Sequence, residues 1–438
     1  MARSYEQSKV KPVSRMAAAL LPRERLGWSL NAVALGALEG GLLGVIVKNQ
    51  FAAAASPAVV SLAVAIVAGA PAFANLSSFL FAGMAMGRSK ALLLSRFMVV
   101  MGLCLLALCL PGATPGGLLL FTLLTVTARI AWAGILTLRA AVWRANFHRS
   151  LRGKVTAGFE RLASLVTALF SALIGFAMDW SGDAWRLLFP LAGLCALAAA
   201  AVYRRAPVRR QSALLRAEIA GRGTSWRGLT FAAMAGVLRQ NREFRRYMAG
   251  MMVFGSGNLM VVPMLVMLVS DHFRLRPLEQ VMITTSIPVG MMFISVTLWA
   301  ALLDRRHIID YRAIHAWNFV PRNVVFAAAA IAHAPALLWL GAVLLGSAHG
   351  GGNLGWNLGH HDFSADADSS VYMATHVSLT GVRGLIMPVA GIVFLRYLES
   401  RQPGLGAYAL LLPLALNLSG SLWFVHLHRE RRRRGLSA

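Results

Sequence analysis

"RRAPVRRQSALLRAEIAGRG", residues 204–223, decides how this chain is read. It opens a segment, 204–246, that carries eleven of the 43 lysines and arginines. Long apolar runs flank it, so it reads as a basic loop parting two hydrophobic blocks. The first block divides into runs at 28–47, 58–82, 91–110, 117–142, 156–178 and 185–203. The second divides into 247–269, 280–303, 314–333, 336–358, 374–395 and 406–427. Runs of about 18 residues or more suffice to cross a hydrocarbon core roughly 30 Å thick.

Composition supports that reading. A soluble chain of 438 residues would form two or three domains, but 57% of these residues are hydrophobic and 14% charged. Mean hydropathy is +0.62. The expected class is an all-α polytopic membrane protein with twelve transmembrane helices in two six-helix halves. Helix is required because a lipid-facing backbone must satisfy its own hydrogen bonds, and the short alternating segments of a β-barrel are absent.

Charge sets the orientation. With the N-terminus inside, the cytoplasmic segments 1–27, 83–90, 143–155, 204–246, 304–313, 359–373 and 428–438 hold about 31 Lys and Arg, against a handful outside. The expected organisation is a basic N-terminal tail (1–27), a first half (28–203), the central loop (204–246), a second half (247–427) and a basic C-terminal tail (428–438). The net charge of +26 then faces anionic inner-leaflet lipid rather than nucleic acid. The first residues lack a separate apolar stretch with a cleavage site and read as an uncleaved tail. Cys104, Cys109 and Cys195 all fall inside spans and read as small buried hydrophobes. High arginine and alanine usage suggests a GC-rich bacterium, hence its cytoplasmic membrane.

A charge at the bilayer centre costs on the order of 3 kcal/mol, so it normally meets a partner or a wet cavity. Glu39, Arg129, His349 and Arg383 fall near mid-span. Glu39, in "NAVALGALEGGLLG", points away from most of a ridge of Gly36, Gly40 and Gly44 suited to close helix contact. It reads as a proton acceptor, a substrate-cation partner, or half of an ion pair with Arg129 or Arg383. Arg129 shares roughly 80° of helix surface with Thr122, Thr125 and Trp132, a pattern suited to clamping a carboxylate or other anion. His349, Asn353, Trp356 and His360 lie within about 60° of one another, with Gly350, Gly351 and Gly352 marking a place where the helix could unwind. His349 suits proton coupling. Asn258, between two glycines and near Pro263, is the matching polar residue of the seventh span. Arg161 and Arg322 read as peripheral. His360, His361, Asp362, Asp366 and Asp368 are candidate metal ligands, without a recognised spacing.

The layout resembles the major facilitator superfamily, whose halves contain inverted repeats. "WRANFHRSLRGKVTAGFERLASLVTALFSALIGFAMD" before the sixth span and "WNLGHHDFSADADSSVYMATHVSLTGVRGLIMPVAGIVFLRYLE" before the twelfth echo each other, with Arg161 and Asp179 matching Arg383 and Glu399. The family's Gly-x-x-x-Asp-Arg-x-Gly-Arg/Lys loop appears degenerate in "GMAMGRSK", where Gly87 stands for the acid beside Arg88, and better kept in "AALLDRRH", with Asp304 and Arg305. The resemblance implies that Arg88, Asp304 and Arg305 form a cytoplasmic gate. It also implies that spans one, four, seven and ten line a central cavity. The signatures of drug/proton antiporters and sugar porters are missing.

These features point to a proton-coupled secondary transporter of a small polar or anionic solute, acting as a monomer without cofactor. Glu39, Arg129, Asn258, His349, Asn353, Trp356 and Arg383 form its expected site. A transition-metal or metal-chelate carrier of iron/siderophore type is the alternative within transport. A membrane sensor or scaffold without transport is the alternative outside it. No phosphate-loop motif supports ATP drive, and no Ser/His/Asp or paired-carboxylate arrangement supports an enzyme.

Overall fold

Short polar residues placed just ahead of apolar runs start several of the long helices. Ser56, Ser89, Thr114 and Asn241 each accept a hydrogen bond from the backbone three residues on, at Val59, Leu92, Gly117 and Phe244. Proline follows at Pro57 and Pro115, where its missing N–H costs nothing. The computed structural model describes residues 15–147, 149–220, 231–364 and 369–436.

The principal helices are α1 (Arg15–Leu38), α2 (Gly40–Gln50), α3 (Pro57–Phe73), α4 (Lys90–Ala107), α5 (Pro115–Asn146), α6 (Arg149–Trp180) and α7 (Trp185–Arg204). A shorter helix, α8 (Gln211–Ala220), occupies the central segment. Then come α9 (Arg242–Met267), α10 (Pro277–Leu303), α11 (Ile308–His315), α12 (Phe319–Ile331), α13 (Ala336–Leu358), α14 (Ser369–Arg401) and α15 (Leu411–Arg433).

Among the described residues, nine helices are long and apolar enough to cross a membrane, and the bent pair α1–α2 brings a tenth. The expected spans at 314–333 and 336–358 are helical but fail that test for different reasons. The first begins earlier, at Ile308, and a tight turn at Ala316–Asn318 divides it into α11 and α12. The second, α13, is continuous, but His349, Asn353 and its glycines dilute its hydropathy.

Two expectations about breaks need correcting. α13 runs unbroken through Gly350, Gly351 and Gly352. These glycines are contact points: a Cβ at 351 would strike the His315 and Trp299 rings, and one at 350 would strike Ser295. The break lies in the first span, where Glu39 is extended (φ −61°, ψ 131°) and the axis turns by 41°.

Helices before residue 205 pack chiefly on one another, as do those after 240. α4 lies along α7, with Gly102 and Gly193 each facing the other's carbonyl. α1 is tied to α6 by Thr167 donating to the Ala32 carbonyl (3.1 Å) and Ser171 to that of Gly36 (2.7 Å). Gly36 meets Thr167 and Phe170, Gly40 meets Ala68, and Gly44 meets Val266, so the glycine ridge provides close contacts. The seam between the two sets runs along α3 against α14 and α6 against α10. Cys104 is buried, with Cys109 and Cys195 partly so; all three are free thiols.

Candidate substrate and proton site

The helix break puts Glu39 at the N-cap of α2 without its side chain capping that helix. Its carboxylate is free to reach across to α5, where Oε1 accepts from Arg129 Nη2 at 3.3 Å. Exposure is uneven: 24% for the glutamate side chain and 3% for the arginine. The contact is single rather than a two-pronged clamp, and Arg129 Nε has no partner. Thr125 Oγ1 is likewise buried and unpartnered, while Thr122 donates to its own helix at Leu118. Trp132, on the same face, stacks on Trp28 with centroids 5.6 Å apart. A half-satisfied, permanently charged guanidinium therefore leans on one partly exposed carboxylate.

The remaining expected residues occupy other places. Asn258 accepts from Arg322 Nη2 (3.3 Å) within a buried group that includes Asn323 and Asn417. His349 is half-buried beside Phe319 and within electrostatic range of Arg322. Asn353 is exposed. Trp356 donates to Thr380 (3.2 Å) and turns its ring edge-on to His376. Arg383 does not reach Glu39; its guanidinium donates to the Met251 carbonyl and to Thr380 (2.9 Å). The expected convergence thus resolves into one ion pair and two separate basic groups. Arg161, its counterpart in the internal echo, is exposed.

Arg322 is fully buried, contrary to its peripheral reading. Arg312 falls in the basic segment 304–313 by sequence, but α11 starts at Ile308 and buries it to 1% exposure. His376, which no sequence pattern marks, is fully buried. Arg322 and Asn417 had a detectable signal, since both are polar residues inside apolar runs.

Among the described residues Arg88, Asp304 and Arg305 form no ion pair and are exposed. Asp304 instead ends α10 as its C-cap. The loop after α3 nevertheless has an acid. Glu218 of α8 accepts from the Gly87 N–H (3.0 Å) and from Lys90 (2.6 Å). Gly87 has φ +66°, a conformation that glycine adopts without strain. Its counterpart network on the other set joins Asp310 to His428 (2.7 Å), and Arg431 to Glu243.

At the opposite end of the bundle, polar links join the two sets. Lys48 pairs with Asp271 (2.8 Å), and Asn49 donates to Gln280 (2.8 Å). Asp179 accepts from the Leu278 N–H (3.0 Å), and Arg396 donates to Ser61 (2.6 Å).

Among the described residues no three His, Cys, Asp or Glu are grouped to hold a metal. The His360 and His361 rings lie 4.0 Å apart, and Asp362 caps the Ile308 N–H (2.6 Å). Asp366 and Asp368 lie outside the described residues. Burial, with His361 adding to it, pushes the His360 imidazole down to about 4. Burial followed by Arg431 lowers that of His307.

No family model matches the sequence, nor does any curated protein. Solved structures do. The D-xylose–proton symporter matches with TM-score 0.71 at 13% identity, covering 93% of this chain and 97% of its own. An autoinhibited POT-family peptide transporter gives 0.69 at 15% identity, over 94% and 97%. The nucleoside transporter NupG gives 0.63 at 13%, over 94% and 99%. The chain therefore has the major facilitator fold. The neighbours named are transporters rather than enzymes, and the apolar helices make this a multi-pass membrane protein.

Proposed function

We propose that this chain is a proton-coupled secondary transporter that carries a small polar or anionic solute across a bacterial cytoplasmic membrane by alternating access. The observation that carries the reading is the Glu39–Arg129 pair: a partly exposed carboxylate at a helix break, bonded once to a buried guanidinium. Half-helices that end at mid-span are where secondary transporters place their sites. A proton arriving at Glu39 cancels its charge and releases Arg129. The freed fork of N–H groups then serves an anionic or hydroxylated solute. Loss of the proton on the other side restores the pair and expels the solute. The similarity to a proton symporter and to peptide and nucleoside carriers supports this class.

In this reading residues 28–203 and 247–427 are the two moving halves and 204–246 links them. The basic termini and loops face the cytoplasm, as the distribution of Lys and Arg favours. The links at Lys48–Asp271 and Asn49–Gln280 then close the outer side.

The test uses the purified chain in proteoliposomes, screening uptake of sugars, peptides, nucleosides and organic anions under an imposed inward proton gradient. Glu39→Gln keeps an acceptor for Arg129 but cannot lose a proton. It is expected to reduce gradient-driven uptake at least tenfold while leaving solute exchange intact. Gradient-driven uptake at wild-type rate in that variant would overturn the assignment.

A further inference from the structure

A second basic group lies in the wall formed by α9, α11, α13 and α14, away from Glu39. Arg312 and Arg383 are 1% and 3% exposed, and His376 is fully buried. Arg312 gives Nη1 to His315 (3.2 Å) and Nη2 to the Gly352 carbonyl (3.2 Å), leaving Nε with no partner. Arg383 Nε is also unpartnered, as are both ring nitrogens of His376. These groups belong together: Trp356 turns its edge to His376 and donates to Thr380, which also accepts from Arg383, while Gly352 and Gly355 of the same helix lie against Arg312.

Two glycines clear space for the guanidiniums. A Cβ at 355 would lie 2.8 Å from Arg312 Nη2, and one at 255 would overlap Arg383 Nη1. Among the described residues neither arginine is paired with a carboxylate. Asp362, within range of Tyr247, is engaged by the Ile308 N–H.

Arginine does not give up its proton in proteins. Burying two such charges without a counter-charge carries a large desolvation cost, and each orphaned donor adds its own. A bound anion removes both costs. The unpartnered donors come from separate places, α11 and two turns of α14. A planar carboxylate offers two oxygens in one plane, whereas a tetrahedral oxyanion offers acceptors on every side.

We infer that the Arg312–His376–Arg383 cluster binds a tetrahedral oxyanion, either inorganic phosphate or the phosphate group of an ester. This inference does not depend on the transport reading, because binding is measured without flux. The phosphate can come from a soluble compound or from a phospholipid headgroup.

The experiment follows thermal unfolding of the full-length protein, purified in phosphate-free detergent with its lipid exchanged. Inorganic phosphate, acetate and short-chain phosphatidic acid are titrated separately at matched ionic strength, since a ligand of the folded state raises the melting point. The expected result is a saturable rise with phosphate, half-complete at a concentration at least tenfold below any acetate effect. Arg312→Gln and His376→Ala should each move the phosphate midpoint upward at least tenfold. His376→Ala keeps both arginines, and Arg383→Lys keeps the charge while losing the fork; these serve if Arg312→Gln does not fold. A saturable rise with phosphatidic acid alone, weakened by the same variants, supports the cluster with a lipid as the source of the phosphate. The inference fails if neither phosphate source saturates, if acetate equals phosphate, or if the variants leave the midpoint unchanged.

Discussion

At Gly351 the ring of His315 and the indole of Trp299 stand where a methyl group would go. Overpacking of this kind costs typically about 1–3 kcal/mol. Gly351→Ala is therefore expected to lower the melting temperature clearly. Gly158→Ala, in α6 with open space around it, should be neutral or slightly stabilising because alanine is the better helix former. Differential scanning fluorimetry of the two variants checks the pair; equal melting would remove the packing role assigned to Gly351. The same three-glycine run invites a reading as a hinge from sequence, since glycine both loosens helices and permits contact. Which use prevails depends on what lies opposite, and that is a tertiary fact. Glu39 shows the converse. Nothing in "GALEGG" distinguishes a break before Gly40 from a continuous helix, yet the break is there.

Among the elements, α8 is the least expected. The central segment reads as a basic loop in the sequence. In the structure its Glu218 supplies the acid missing at Gly87, holding Lys90 and the Gly87 N–H together. The pair is partly exposed (20% and 27%), so its coupling should be modest, about 1 kcal/mol or less. Glu218→Gln and Lys90→Gln should each destabilise slightly, and the double variant should be no worse than the more damaging single one. Thermal melting in a double-mutant cycle measures this coupling; strictly additive losses would show that the contact carries no energy. The degenerate loop motif was legible in the sequence. Its replacement was not, because the partner lies 131 residues away and belongs to no repeat of the pattern.

For the whole molecule, the links at Lys48–Asp271, Asn49–Gln280 and Asp179–Leu278 hold one end of the bundle shut. If the halves rock about the seams of α3 with α14 and α6 with α10, weakening that end should shift the population toward its opening. Asp271→Asn combined with Gln280→Ala is expected to lengthen spin-label distances measured across this end by double electron–electron resonance. An unchanged distance distribution would mean that apolar packing, not these links, sets the closed state. Sequence alone determined the class of this protein: helical because lipid offers no backbone partners, polytopic because apolar runs of spanning length recur, and asymmetric in charge because Lys and Arg collect in alternate loops. It also picked out Glu39 and Arg129, since a charge in an apolar run stands out without knowledge of its surroundings. Tertiary structure alone decided which charges meet. Arg129 found a carboxylate, whereas Arg312, Arg322 and Arg383 were buried among amides, carbonyls and imidazoles. Pairing is a property of distance across helices, and one helix's sequence carries no record of its neighbour's register.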